Sequence, residues 1–394
     1  MAWGEVRVEE KRKLFIEACL RKTSSMAELC RQYSISRKNG YKWLRRYLEN
    51  GEEGLKDRSR APLIQAGATE DELVQAILET RLEWSDWGPK KIRADLEKKH
   101  PLISWPSTTT IGNLLTRHGF TVARKLRRRL AARTNPLAHC QQSNDVWCMD
   151  FKGWWMTQDG QKCEPFTLTD GASRFLLRCL KLDRNDTEHV WGVLDAAFSE
   201  FGLPRFLRSD NGPPFATCGP GRLSGLSVKL IKAGVSPEWI DPGKPQQNGR
   251  HERMHQTLKK ATATPPQPTL EEQEMKFAEF VEYFNFIRPH EALRQKTPAS
   301  VYCPSERVWN RRLKSPEYSE DFMVRKVRIG GQISWKGENP FISHALTNEP
   351  VGLKEIENGN FEVYYGPIIL GIIDNKQEFN VPKDQSRRRG NRLT

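Results

Sequence analysis

No stretch of this 394-residue chain approaches the roughly 18 apolar residues of a membrane-crossing helix, and its first residues lack the apolar run of a secretory leader. A cytoplasmic protein that does not enter the membrane is the expectation. The eight cysteines include no CxxC and no CxxH pair, which excludes a zinc-finger module and fits reduced thiols in a reducing compartment. Acidic residues are in short supply: 49 Asp and Glu face 63 Lys and Arg, leaving a net charge of +14 and a pI near 9.4. Such a surface suits a polyanionic partner. The imbalance is uneven, because residues 1–140 hold 28 basic against 17 acidic side chains and the remaining 254 hold 35 against 32. The length suggests two to four domains.

What is present at the front is helical. Ser25-Met26-Ala27-Glu28 is a capping box opening a short helix to Tyr33, and Ser36 can cap the next, Arg37 to Tyr47. Tyr41, Leu44 and Leu48 are expected to share its apolar face, with Arg37, Lys38, Lys42 and Arg45 pointing elsewhere. Two short helices joined by a tight turn, the second basic, form a helix-turn-helix over residues 1–60. A second such unit is expected over 66–122, from helices at Asp71–Glu83, Lys90–Lys99 after Pro89, and Ser107 to His118. Its last helix is nearly uncharged. Basic linkers flank this unit: Arg58 and Arg60 lie in one, and Arg124, Lys125, Arg127, Arg128 and Arg129 lie in the connector 123–143. Both suit a phosphate backbone.

From about Asn144 strands and helices alternate. Val146–Gly153, Phe166–Asp170 and Arg174–Leu182 read as three successive strands, and Asp186–Phe201 as an amphipathic helix. A strand ending at Asp210, a helix Leu223–Ala233, a strand Pro237–Ile240 and a helix carrying Glu252 follow. That is the element order of a ribonuclease-H-like α/β core, expected over 144–300. Asp150 closes a strand, Asp210 closes another before the Asn211-Gly212 turn, and Glu252 lies in the first turn of a helix. Singly, each has a plain structural role, a turn residue or a dipole partner. Together, carboxylates from two strand ends and a helix can converge on divalent cations. Asp170, Asp145 and Asp183 are the competing acids, the last two read as solvated strand ends.

The strings Trp147-Cys148-Met149-Asp150-Phe151-Lys152-Gly153, Ser209-Asp210-Asn211-Gly212-Pro213-Pro214-Phe215 and Pro242 to Arg253 resemble the integrase core of bacterial insertion-sequence transposases, the DDE group within the retroviral integrase superfamily. So does Tyr283 to Leu293, with Arg288-Pro289-His290. The resemblance implies that Asp150, Asp210 and Glu252 are the catalytic metal ligands for two Mg²⁺, with Mn²⁺ able to substitute. It implies a reaction in which water frees a 3′-hydroxyl at each element end and that hydroxyl then attacks target DNA. The partners implied are double-stranded element ends and target DNA, a homo-oligomer on DNA, and an accessory regulator if assembly needs one, in a bacterial, nucleoid-associated setting. The 41 residues between Asp210 and Glu252 exceed the spacing of many relatives, and the surplus is assigned to the glycine-rich Thr217–Gly225. Lys244, Arg250, Arg253, His255, Lys259 and Lys260 are expected to contact DNA phosphates beside the metals.

Two other readings compete. A transposase-derived regulator that binds DNA without cutting would keep the same front end. His251-Glu252-Arg253-Met254-His255 also satisfies HExxH, a zinc-protease pattern, with only Glu271, Glu272 or Glu274 near enough downstream as a third ligand. The helix of the integrase-like core is expected to run on from Phe280 to Leu293. Residues 320–380 read as a small β-barrel-like domain with strands Met323–Ile329, Gly331–Trp335, Gly352–Glu357, Asn360–Tyr365 and Pro367–Asp374, followed by a basic tail, 381–394.

Overall fold

In the computed structural model, which describes residues 8–22, 24–57, 69–121, 137–241 and 244–381, the helices near the start of the chain close on a core of their own. They are α1 (Val8–Leu20), α2 (Met26–Gln32) and α3 (Arg37–Asn50), and they bury Phe15, Ile16, Leu29, Cys30, Trp43 and Leu55. This is the first of two units, Met1–Glu70 and Asp71–Thr394. Ser25 and Glu28 form the capping box, and Ser36 caps α3 by accepting the Asn39 amide.

The buried face of α3 differs from the expectation. Gly40 and Trp43 turn inward, whereas Tyr41 and Leu48 are 58% and 68% exposed. The cause is α1, whose apolar residues bunch as Leu14-Phe15-Ile16 instead of being spaced along a stripe, and which shares the core with α3. A Cβ on Gly40 would stand 2.6 Å from Cys30 Sγ, so the bare glycine sets how closely α2 and α3 pack. With Gly40 and Trp43 inside, Arg37, Lys38, Lys42 and Arg45 are all exposed.

The second unit starts with α4 (Asp71–Glu83), α5 (Pro89–Lys99) and α6 (Thr108–Arg117), packed around Ile77, Trp87, Ile92, Leu96, Ile111 and Leu115. Next come strands β1 (Val146–Phe151), the hairpin β2 (Trp155–Met156) and β3 (Lys162–Cys163), then β4 (Pro165–Asp170) and β5 (Leu176–Lys181). Helix α7 (Thr187–Phe201), β6 (Phe206–Ser209), α8 (Gly225–Lys232), β7 (Ser236–Trp239), α9 (Gly249–Thr262) and α10 (Leu270–Glu282) complete the core. The main sheet has the order β5-β4-β1-β6-β7, with β4 antiparallel to β1 and β5, and β1, β6 and β7 parallel.

Side-chain alternation divides this sheet between two sets of helices. Trp147, Met149, Phe166 and Leu168 pack with α7 and α8, through Val190, Leu194, Phe198, Leu226 and Leu230. Leu176 and Cys179 pack with α9 and α10, through Met254, Leu258, Phe277 and Phe280. Helix α10 begins at Leu270 behind its cap Thr269 and passes into a π turn, Tyr283–Ile287, so the expected helix from Phe280 to Leu293 is corrected. Pro289 lacks the N–H to continue it, and Asn285 instead binds both the amide and the carbonyl of Leu176 on β5, at 2.8 and 3.0 Å. Tyr283 reaches the α4–α6 bundle: it accepts a hydrogen bond from Trp87 Nε1 at 2.7 Å and stacks on Trp84, while Arg288 pairs with Asp86.

The C-terminal sheet is all β, a meander in the order β12-β11-β10-β9-β8 built from β8 (Met323–Lys326), β9 (Pro350–Glu355), β10 (Phe361–Tyr365), β11 (Ile368–Ile373) and β12 (Phe379–Asn380). The strand expected at Gly331–Trp335 is absent there; only isolated bridges Gln332↔Phe341 and Trp335↔Glu338 form, because the 331–341 segment turns back on itself at Lys336-Gly337, both with positive φ. Helix α8 belongs to two cores. Leu226 and Leu230 face the main sheet, while Val228 and Ile231, with Leu223 before the helix, join Val351, Leu353, Val363 and Tyr365. Gly221, in the glycine-rich 217–225 segment, lies against Ile368 and Leu370, where any Cβ would come within 2.9 Å. Among the described residues no helix is long and apolar enough to cross a membrane.

Candidate active site

Asp150 lies near the end of β1, a strand buried on both faces up to Met149, where the chain emerges from the core. Strand β6 runs parallel beside it, in the register Cys148↔Arg208, and this register carried on by two residues sets Asp150 beside Asp210. The turn after β6 fixes the second carboxylate: Asp210 Oδ1 accepts the Gly212 amide at 3.0 Å, and Asn211 Nδ2 donates to the Ile240 carbonyl at 2.8 Å. Glu252 stands exposed in the first turn of α9, whose inner face carries His251, Met254, His255 and Leu258. Asn248, just before α9, donates to Asp150 Oδ2 at 3.4 Å.

These acids feel one another. The Asp150 carboxyl is pushed up to about 7, first by burial, then by Asp210 and, more weakly, by Glu252; the Phe151 amide and Lys152 oppose the shift. A carboxyl that resists ionising because it is buried and has other carboxylates nearby is a place where added positive charge is favoured. Carboxylate oxygens are hard donors of the kind that suits a divalent cation such as Mg²⁺, although Asp150, Asp210 and Glu252 do not bring their oxygens within 4.8 Å of one another in this structure.

The two histidines of the HExxH string lie on the inner face of α9, bonded to threonines of β4. Thr167 Oγ1 is 2.7 Å from both His251 Nε2 and His255 Nε2 and donates to the Asp150 carbonyl at 3.1 Å. Thr169 Oγ1 lies 2.9 Å from His251 Nδ1. One consistent assignment follows: both rings carry their proton on Nε2 and donate to Thr167, and Thr169 donates to His251 Nδ1. Burial drives His251 down to about 3 and His255, with His251 and Lys152 adding to it, to about 2, so both are neutral. His255 is therefore corrected as a DNA contact: at 5% exposure it is inside the protein. Asp150, His251 and His255 do bring ligand atoms within 4.8 Å of one another, the one such group among the described residues. In that assignment both His251 nitrogens are occupied by threonines and only His255 Nδ1 remains open, 3.9 Å from Asp150 Oδ2. One open imidazole nitrogen does not make the two-histidine zinc site of a protease.

Of the remaining expected contacts, Arg253, Lys259 and Lys260 are exposed on α9, Arg250 is half-buried with its Nη1 donating to the Gly171 carbonyl at 3.1 Å, and Lys244 pairs with Asp241 at 2.9 Å. Asp170 is buried and committed to the Asn144 amide and to the Ser173 amide and hydroxyl. Arg58, Arg60, Arg124, Lys125, Arg127, Arg128, Arg129 and the arginines of the basic tail lie outside the described residues. Thr167 and Thr169 are the participants that the sequence pattern did not single out, and the alternation Phe166-Thr167-Leu168-Thr169 carries the signal for them.

Residues 141–245 and 233–298 each match the integrase core domain, residues 11–62 a helix-turn-helix domain, residues 39–115 a homeodomain-like domain, and residues 322–380 the C-terminal domain of the IS481 family transposase. The Gag-Pol polyprotein of baboon endogenous virus (strain M7) is 36% identical over 81 residues, a stretch that spans 19% of this chain and 4% of that polyprotein. The catalytic core domain of BIV integrase aligns at a TM-score of 0.32 and 19% identity, covering 40% of this chain and 93% of its own. The simian T-cell lymphotropic virus intasome, solved in complex with PP2A regulatory subunit B56 gamma, aligns at 0.36 and 15% identity, covering 73% and 91%.

Proposed function

We propose that this chain, which carries helix-turn-helix and integrase core domains and the C-terminal domain of the IS481 transposase family, binds the ends of a mobile element, cuts them and joins them to target DNA. The observation that supports this reading most is the placing of Asp150 and Asp210 at the adjacent ends of two parallel strands, with Glu252 in the first turn of α9 and Asn248 just before that helix touching Asp150. Asp150, Asp210 and Glu252 are the residues that would hold two Mg²⁺, or Mn²⁺ in their place. When bound, such ions activate an attacking oxygen and stabilise the leaving one.

The protein's own groups prepare that site. Asn248 steadies one oxygen of Asp150, and the Gly212 amide takes Oδ1 of Asp210. The Thr167 hydroxyl fixes the β1 carbonyl at Asp150 and, through two neutral imidazoles, the inner face of α9, so Glu252 is presented by a helix that is pinned at both its first and second turns. Exposed Lys38, Lys42 and Arg45 on α3 supply cations for the DNA phosphates. Each protomer would offer one such site, so handling two element ends calls for a homo-oligomer on DNA. An accessory regulator and a bacterial nucleoid location complete the reading.

The test is cleavage and strand transfer on labelled DNA carrying the element's own ends, with Mg²⁺ or Mn²⁺, beside an Asp210→Asn variant. Metal-dependent products that vanish in the variant support the assignment. Products of equal yield from the variant overturn it, and DNA binding without products from the wild-type chain identifies the non-cutting regulator.

A further inference from the structure

The π turn after α10 is fastened to two parts of the chain at once. Asn285 binds the amide and carbonyl of Leu176 on β5 and so belongs to the integrase-like core. Two residues earlier, the Tyr283 hydroxyl belongs to the α4–α6 bundle: it accepts from Trp87 Nε1 at 2.7 Å and donates to Asp86 Oδ1 at 3.1 Å. Just past the turn, Arg288 Nη1 donates to the same hydroxyl at 2.8 Å and pairs with Asp86, and only 12% of its side chain is exposed. Trp84 completes the joint by stacking on the Tyr283 ring, centroids 5.0 Å apart. Trp87 is fully buried, so losing this hydroxyl would strand its indole N–H. A π turn is a rare element that recurs at functional sites.

The covalent chain does not set the placing of the bundle. Residues 122–136 separate it from the core, a length of chain that can span up to roughly 50 Å. Much of the seam is also open: a cleft of about 1170 Å³, lined by Trp84, Phe120, Thr257, Phe280 and Ile287, lies beside the joint. The pair Lys90–Glu291 crosses the seam too, but both side chains are largely exposed and such pairs hold little. From Tyr283 the path to the carboxylates is short. Helix α10 packs along α9, Phe277 and Phe280 against Met254 and Leu258, and α9 presents Glu252. We propose that Asp86, Trp87, Tyr283 and Arg288 form a joint that holds the bundle at one orientation to the core of the same chain, and that this orientation fixes which phosphodiester is cut. The proposal rests on the reading of this chain as a DNA-cutting enzyme whose α4–α6 bundle, within the homeodomain-like match, holds the DNA. The four are positioning residues, acting through the bundle and not on the reacting atoms. A misplacement of about 1 Å introduced far from the chemistry can cost about a hundredfold in rate.

The experiment uses the full-length chain, labelled DNA carrying the element's own ends, and Mg²⁺, with every cut mapped to the nucleotide. The wild-type chain should cut at one phosphodiester. Arg288→Ala and Tyr283→Phe should keep DNA affinity, lower cleavage at that position by about ten- to a hundredfold, and scatter the remaining cuts to its neighbours. The reversed pair, Asp86→Arg with Arg288→Asp, should restore the position and most of the rate. Wild-type cutting by Tyr283→Phe, which removes a single oxygen and tests the joint even if Arg288→Ala fails to fold, would overturn the proposal. So would a reversed pair that regains the melting temperature but not the cut position, because the contact would then serve folding alone. A second readout needs no chemistry. Spin labels at Arg117→Cys on α6 and Glu274→Cys on α10, both exposed positions, are placed in a chain carrying Cys19→Ser, Cys218→Ser and Cys303→Ser. Their distance distribution should be narrow and should broaden when Tyr283→Phe is added. A distribution that stays narrow would overturn the joint. A distribution that broadens, with no products from the wild-type chain, would overturn only the enzyme reading.

Discussion

Replacing Asp150 by Asn should stabilise the metal-free protein at alkaline pH, and the size of the effect follows from the burial of this carboxyl and the Asp210 charge beside it. The carboxyl titrates near 3.8 when unperturbed and is pushed up to about 7 in the fold. Between those values the folded protein holds a proton that the unfolded chain releases, so stability falls as pH rises through the window from about 4 to 7 and stays low above it. The full shift corresponds to about 4 kcal/mol at 1.36 kcal/mol per pH unit. The side chain is 20% exposed, and water at that surface reduces the figure to roughly 2 kcal/mol. For a unit of this size, Asp150→Asn should then melt roughly 4 °C above wild type at pH 8 in EDTA. The gap should narrow sharply by pH 4 and close by about pH 3, below the unfolded value, where the wild-type carboxyl is largely protonated in both states. Mg²⁺ at pH 8 should raise the wild-type Tm and leave that of Asp150→Asn nearly unmoved. Calorimetry across this pH range decides the matter. An Asn variant that melts at or below wild type at pH 8 in EDTA, or a gap of equal size at pH 4, would refute the electrostatic argument.

Three further outcomes are expected. Asn285→Ala strips both backbone bonds from Leu176 beneath the π turn and should cost about 2–3 kcal/mol in urea unfolding; a loss under about 0.5 kcal/mol would show that β5 finds other partners. Gly352→Ala places a Cβ 2.4 Å from the Tyr318 ring, and the overpacking should cost about 1–3 kcal/mol, whereas an unchanged denaturation midpoint would mean that the ring swings aside freely. Elemental analysis of the purified protein should find zinc well below one equivalent, because threonines occupy both His251 nitrogens; stoichiometric zinc would reverse the assignment of that hydrogen-bond network.

The parts of this structure that announce themselves locally are those with a local cause. Capping residues Ser25, Ser36 and Ser107 mark helix starts because the side chain and the amides it satisfies are three residues apart. The strand ends at Asp150 and Asp210 are legible because an apolar run stops there and a turn begins. What escapes a reading of the sequence depends on partners far along the chain. The inner face of α3 is chosen by α1, and Tyr41 and Leu48 are apolar enough to mislead when that partner is unseen. His255 looks like a surface cation because its helix is polar, yet the hydroxyl that receives it comes from Thr167, 88 residues earlier. The π turn at Tyr283–Ile287 is likewise set by Asn285 reaching back to β5.

Helix α8 has a bearing on how this protein can be taken apart. Its two faces are claimed by different sheets, so the seam between the integrase-like core and the C-terminal meander runs through the middle of a helix and not through a linker. A chain cut just ahead of β8 would leave Leu223, Val228 and Ile231 bare to water, with Lys232 stripped of the Glu349 carboxylate it meets at 2.6 Å. Such a fragment should be sticky and slow to refold even though its main sheet is whole. By the same reasoning, grafting a foreign C-terminal module onto this core succeeds only when the graft brings its own version of α8 and of the glycine at position 221. The smallest transplantable piece is thus larger than either sheet alone.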